Sequence, residues 1–304
     1  MATPMLRSQF AELTNLEVAL RTVMFDQMAA VADEGAPLFG LYNIQASTDA
    51  SETTLGMGGF GNVKEYDGSI QYDSIEKLYA RTYTHKELVS GFMIQQTLIE
   101  DEKYNQMNQM AQRFALSYAR TRYVDAASLF NNAFSSSYTG GDSKALCATD
   151  HPYSPTNAST QSNKGTTALS YDAVIATELL MMALKDSRGN PMAVMPDTLI
   201  VPVALKSTAE TIVGSSAKPG TANNDANTAS GYRVVVSRYL TDTNNWFLAD
   251  SMLARSYLNW FDRILPDFAM DPTSDFNLGL KMRGRMRYSF GWDHWAWLYG
   301  HEVA

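Results

Sequence analysis

At 304 residues the chain is long enough for one large domain or two ordinary ones, each with a sizeable core. An apolar fraction of 45% against 18% charged residues excludes an intrinsically disordered chain, and a net charge of −8 argues against a dedicated nucleic-acid binder, which needs a basic surface to neutralise phosphates. The single cysteine, Cys147, excludes an intrachain disulfide and a thiolate zinc cluster and favours a reducing compartment.

The opening residues, MATPMLRSQF, lack the apolar core of a signal peptide, and the richest apolar run, ELLMMAL, is far short of the ~18 residues that cross a bilayer. A soluble intracellular product is expected. Leu16, Leu20, Val23, Met24, Met28 and Val31 share one face at steps of mostly three and four, which predicts an amphipathic helix over Leu16–Val31. Between Ala46 and Gly68 the composition turns to Ser, Thr, Asp, Glu and Gly, the texture of an exposed loop or hairpin, and Ile70–Tyr83 reads as a returning strand. Ordering such extended segments costs about 1–2 kcal/mol per residue, so they are retained where neighbouring copies bury them. That favours assembly over catalysis.

From Lys103 the residues Met107, Met110, Ala111, Phe114, Tyr118, Ala126, Phe130 and Ala133 keep helical steps as far as Phe134, with one lapse at Thr121 and Arg122. Such a helix is ~45 Å long at ~1.5 Å per residue. The glycine- and serine-rich Ser135–Ser143 ends it, and His151–Thr166 is loop. Ser170 caps a helix that runs towards Lys185, DSRGNP closes it, and Thr198–Val203 is an apolar β-branched strand followed by the helix-like ALKSTAETIV. After the polar loop Lys218–Gly231, YRVVVSRYL and NWFLAD flank TDTN and predict a β-hairpin, so residues 166–255 read as a compact α+β unit.

The sharpest pattern is in Leu278–Phe290. Leu278, Leu280, Met282, Met286, Tyr288 and Phe290 occupy alternate positions, broken only by Gly284, while Lys281, Arg283, Arg285 and Arg287 fall between them. Period two with one apolar face predicts a β-strand. Four like charges on its other face repel one another unless acidic groups cover them. They form a solvated face, or meet a partner subunit's carboxylates, or meet nucleic acid. WDHWAWLY then supplies a second aromatic strand for the same sheet.

Chemical motifs are sparse. GMGGFG (Gly56–Gly61) satisfies G-x-G-x-x-G, yet no apolar strand precedes it and no helix follows, so it reads as flexible loop. There is no phosphate loop and no G-x-S-x-G elbow. None of His85, His151, His294 and His301 lies at metal-ligand spacing from another. Asp150 and His151 with the nearby serines outline the alternative, a hydrolase-like enzyme, but adjacent Asp and His aim poorly at each other. Asp242 and Asn244 suggest a calcium loop without its Gly and terminal Glu, and Asn157-Ala-Ser is a sequon that matters only on secretion. No catalytic, cofactor-binding or metal-ligating residue is assigned.

Taken in order, ALRTVMFDQMAAVA, SIQYDSIEKLYARTYTHKELVSGFMIQQTLIEDEKYNQM, LFNNAF, LCATDHPYSP with QSN, TLIVPVAL, YLTDTNNWFLAD and RMRYSFGWDHWAWLYG resemble the major capsid proteins of tailed bacteriophages, the Mu-type major head subunit most of all. The resemblance covers nearly the whole chain. It implies an α+β capsid fold: an N-terminal arm (1–48), an extended loop (49–88), a peripheral domain with a long spine helix (89–165) and long β-strands (256–304), and an axial domain (166–255). It implies a structural protein that self-assembles into hexamers and pentamers of an icosahedral shell, with itself, portal and scaffold proteins and non-specifically packaged double-stranded DNA as partners. No membrane and no cofactor is involved. Assembly in the bacterial host cytoplasm and residence in the virion follow. The chain start is expected to be a mature or unfused N-terminus. Some members of the family crosslink a loop lysine to a neighbour's asparagine; Lys64 lies in the loop, but nothing else matches that chemistry. Lys281, Arg283, Arg285 and Arg287 are the candidate intersubunit or DNA-facing contacts.

Overall fold

A 28-residue helix with one apolar face needs an equally long apolar surface to lie on, and here strands near the C-terminus supply it. The computed structural model describes residues 7–70, 72–220, 225–271 and 279–304, with side chains described outside 7–15 and 31–36. In chain order it runs through α1 (Arg7–Phe39), β1 (Asn43–Ala46), β2 (Ser51–Met57), β3 (Lys77–Thr84), β4 (Lys86–Gln95), the short α2 (Gln96–Glu100) and the long α3 (Tyr104–Asn131). The short strands β5 (His151–Pro152), β6 (Thr160–Gln161) and β7 (Lys164–Gly165) lead into α4 (Tyr171–Met182), β8 (Thr198–Pro202), α5 (Lys206–Gly214), β9 (Arg233–Ser237), β10 (Trp246–Ala249) and α6 (Ser251–Tyr257). The chain closes with β11 (Leu258–Asp271), β12 (Gly279–Trp292) and β13 (Leu298–His301).

The first sheet has the order β1-β11-β12-β4, and the period-two segment is its central β12. Leu280, Met282, Met286 and Tyr288 are buried on the face that carries α3, while Leu278 lies outside the described residues. The break at Gly284 has a steric cause: a Cβ there would lie 2.6 Å from the Tyr118 ring, whose hydroxyl donates to the Gly284 carbonyl at 2.5 Å. The lapse in the helical stripe is explained as well. The Arg122 guanidinium bonds Asp262 of β11 at 2.8 Å and lies over the rings of Phe39 and Trp260, so the helix faces the sheet with a charge where the sheet offers a carboxylate and π-faces. Phe268 of β11 packs edge-on against Phe25, Phe114 and Tyr118, joining α1 and α3 to the sheet.

The N-terminal helix is longer than the Leu16–Val31 its periodicity predicts. Leu20 and Met24 are fully buried, the Val31 side chain lies outside the described set, and the helix continues to Phe39 with Pro37 in its last turn. The long hairpin pairs β2 with β3, from Ser51 opposite Thr84 to Met57 opposite Lys77. The returning strand thus begins at Lys77, not Ile70; Ile70, Tyr72 and Ile75 are exposed and unpaired. Strand β4, which the sequence does not announce, extends the first sheet by pairing β12 along its length. Leu88–Val89 and Phe92-Met93-Ile94 put apolar residues on both faces and hide the alternation.

The second sheet, β7-β13-β10-β8-β9, corrects two expectations. The segments YRVVVSRYL and NWFLAD do not form a hairpin: β9 is parallel to β8, β10 is antiparallel to β8, and β8 lies between them. The wholly buried TLIVP takes an interior position instead, with β9 on one edge and β10 on the other. The closing aromatic strand also leaves the long sheet, for β13 pairs antiparallel with β10 and extends this second sheet. Caps match the sequence reading: Ser170 Oγ accepts from Ala173 N, although α4 ends at Met182, short of Lys185. The class is the expected α+β.

Candidate functional site

The enzyme-like cluster resolves into structure. His151 is fully buried, its Nδ1 pairs with Asp142 Oδ2 at 2.6 Å, and its ring stacks on Trp295 at 4.3 Å. Asp150 is held instead by the Lys144 ammonium, which also keeps its carboxyl below the usual range. His151 Nε2 has no hydrogen-bond partner, so among the described residues no hydroxyl is poised against it as a triad requires. Asp242 Oδ1 accepts from Asn244 N and Asn245 N, closing a turn. Among the described residues no group of three or more His, Cys, Asp or Glu could hold a metal ion, and no helix is long and apolar enough to cross a membrane.

What the chain presents instead is surface. On β12, Lys281 and Arg283 are exposed, and Arg285 and Arg287 are half-buried, on the face opposite α3. Their register places acidic groups of the same chain beside them. Asp271 is opposite Lys281, Asp267 opposite Arg285 and Glu87 opposite Arg287, while Arg285 Nε bonds Glu87 Oε1 at 2.6 Å. Arg283 faces Ala269 on one neighbouring strand and Gly91 on the other. Within the subunit Glu87 thus offsets like-charge repulsion at Arg285, whereas the buried Arg287 Nε has no hydrogen-bond partner. Val89 and Met93 of β4 are exposed beside it, so the face mixes cations with apolar groups.

The second surface is the hairpin. Its base is fixed to the body by Asp293, whose Oδ1 accepts from Thr54 and Tyr83 hydroxyls, both at 2.5 Å, and whose Oδ2 accepts from Asn259 at 2.7 Å. Arg81 stacks on the Trp292 ring at 4.2 Å. His85, the single residue between β3 and β4, is bonded by Ser47 Oγ at Nε2 (2.9 Å) and Ser289 Oγ at Nδ1 (3.0 Å); burial first, then the Arg287 charge, lowers its pKa. Beyond this built base the tip exposes Met57, Phe60, Val63, Tyr66, Ile70 and Tyr72. Val63 is 99% exposed, a position no isolated soluble domain gains from making apolar. Leu179 and Leu180 of α4, Met195 in the segment before β8 and Met252 of α6 are exposed as well.

Sequence reasoning located the hairpin and the stripe but missed the intrachain carboxylates opposite the stripe, because Glu87 and Asp267 lie far from it in sequence and only strand pairing unites them.

Comparisons with known proteins agree with an assembling surface. The family model described as "Phage capsid protein" matches residues 92–300. Among solved structures, the procapsid protein of bacteriophage JBD30 is similar with a TM-score of 0.55 and 17% identity over 98% of this chain and 75% of that one. The capsid protein of an empty GTA particle is similar with a TM-score of 0.54 and 17% identity, covering 89% of this chain and 90% of that one. That of cyanophage P-SCSP1u gives a TM-score of 0.54 at 12% identity over 87% and 86%. No curated protein matches.

Proposed function

The chain belongs to the phage capsid protein family, and from that membership we propose that it is the Mu-type major head subunit of a tailed bacteriophage. It is a structural shell protein and not an enzyme. The family match over residues 92–300 carries the reading, since it spans α3, the second sheet and the long strands together.

The shell is built from copies of this chain arranged as hexamers and pentamers by heterologous contacts. Residues 1–48 serve as the N-terminal arm, 49–88 as the extended loop, 89–165 with 256–304 as the peripheral domain, and 166–255 as the axial domain, to which β13 contributes a strand. Supporting this division, the exposed apolar tip of the hairpin is surface that water penalises, at about 25 cal/mol per Å². Covered by a neighbour, it adds to a standard interface of ~1,600 Å². Lys281, Arg283, Arg285 and Arg287 contact a neighbouring subunit or packaged DNA at the end of the stripe where Lys281 and Arg283 are exposed. Portal and scaffold proteins and non-specifically held double-stranded DNA complete the partners, and assembly takes place in the host cytoplasm.

Sedimentation of the purified full chain at rising concentration tests the assignment. Conversion to species of capsomer size and larger is expected. A subunit that stays monomeric at all concentrations, and binds duplex DNA tightly with a steep salt dependence, would favour a nucleic-acid binder instead.

A further inference from the structure

The hairpin does not project freely. Its tip is tied back to its own subunit, over the turn that follows α4. Arg188 Nη2 bonds Asp73 Oδ1 at 3.0 Å and the Ser74 carbonyl at 2.5 Å, and Asp73 Oδ2 accepts from Gly61 N at 2.7 Å. Glu76 Oε1 accepts from Ser154 Oγ at 2.8 Å and from the Thr156 hydroxyl. Gly58 passes so close that a Cβ there would lie 2.9 Å from Ser187 Oγ. The pattern is inverted relative to a permanently packed segment: the tip turns polar groups to its own body while Phe60, Val63, Tyr66 and Tyr72 remain in water. A permanent contact would bury the rings and leave the charges outside. Exposed ion pairs of this kind are weak and exchange readily.

We propose that Asp73, Glu76 and Arg188 form an intramolecular latch that parks the hairpin tip on its own subunit before assembly and restrains shell closure until the tip is released. The proposal rests on the shell reading above. Release breaks the exposed Arg188–Asp73 ion pair and a few hydrogen bonds, one of them to the buried Ser154 hydroxyl, whereas the base, held by Asp293 and the Arg81–Trp292 stack, stays fixed and acts as the pivot.

A reversible lock tests it. In the full chain, Gly58→Cys with Ser187→Cys places two thiols at disulfide range, at a backbone position outside the left-handed region, and the native Cys147 is buried and does not compete. Mild oxidation of the unassembled double variant is expected to form the 58–187 disulfide within one subunit. That oxidised form is expected to close no shells, and reduction to restore closure. Arg188→Ala in the otherwise native chain is expected to lower the concentration threshold for assembly roughly two- to five-fold, the range an exposed pair spans. Absence of the intrasubunit disulfide, oxidised subunits that assemble as well as reduced ones, or an unchanged or raised threshold for Arg188→Ala would each overturn the latch while the native chain still assembled. A native chain that forms no particles overturns the shell reading itself, and the latch with it, whatever the disulfide yield.

Discussion

At the scale of single residues, charges and rings buried between the long helix and the long sheet decide stability. Arg122 and Asp262 are paired at 2.8 Å with side chains 13% and 7% exposed. Removing one partner of such a pair leaves a buried charge uncompensated, so Arg122→Ala should destabilise the subunit by about 3–5 kcal/mol. Urea denaturation measures this, and a loss below about 1 kcal/mol would show that the pair is not structural. Acid sensitivity follows from the histidines. His301 accepts from Thr167 N at Nδ1 and is bonded at Nε2 to Thr177 Oγ1, which itself donates to Ala173 O, so the ring is held neutral. Burial lowers its pKa to about 4, and burial, with His151 nearby, takes His294 to about 4 as well. Both folded values lie below the unfolded ~6.5, so the stability these rings confer is complete above that pH and lost as pH falls towards 4. Unfolding free energy measured from pH 7 to 4.5 should decline, and His301→Gln should flatten part of the decline. A flat profile for the native chain would contradict the argument.

At the scale of elements, the hairpin and the stripe are separable from the core. Deleting residues 58–75 removes the exposed tip but spares the β2–β3 ladder, so the subunit should fold with its melting temperature nearly unchanged and fail to complete shells. Normal particles from that deletion would remove the hairpin from the assembly account. Arg285→Glu sets a third carboxylate beside Glu87 and Asp267. It should cost the subunit no more than about 1 kcal/mol, as for an exposed pair, yet impair assembly. Unchanged assembly would return the stripe to a solvated face. Elements whose pattern is local were legible in the sequence: β12 from strict alternation, α3 from its stripe, α4 from Ser170. Those defined by distant partners were not. Strand β4 is apolar on both faces, β9 and β10 are neighbours in sequence but separated in space by β8, and β13 ends in the other sheet because Phe247 to Ala249 offer it an edge. Even Arg122 and Gly284, which looked like defects in two clean patterns, are the places where helix and sheet recognise each other.

At the scale of the whole molecule, the subunit invests its polar chemistry in holding long elements together and leaves apolar side chains exposed at the hairpin tip, on α4 and on the face beside β4. Apolar surface of this kind is a liability for a monomer and a contact for a lattice. The buried His151–Asp142 pair is part of this structural chemistry, its remaining ring nitrogen having no hydrogen-bond partner. The most direct measurement is electron microscopy of the native full chain, purified gently and imaged across a concentration series. Closed icosahedral particles, or rings of five and six subunits, are the expected result. Discrete monomers or dimers at every concentration, with no rings and no shells, would contradict the account.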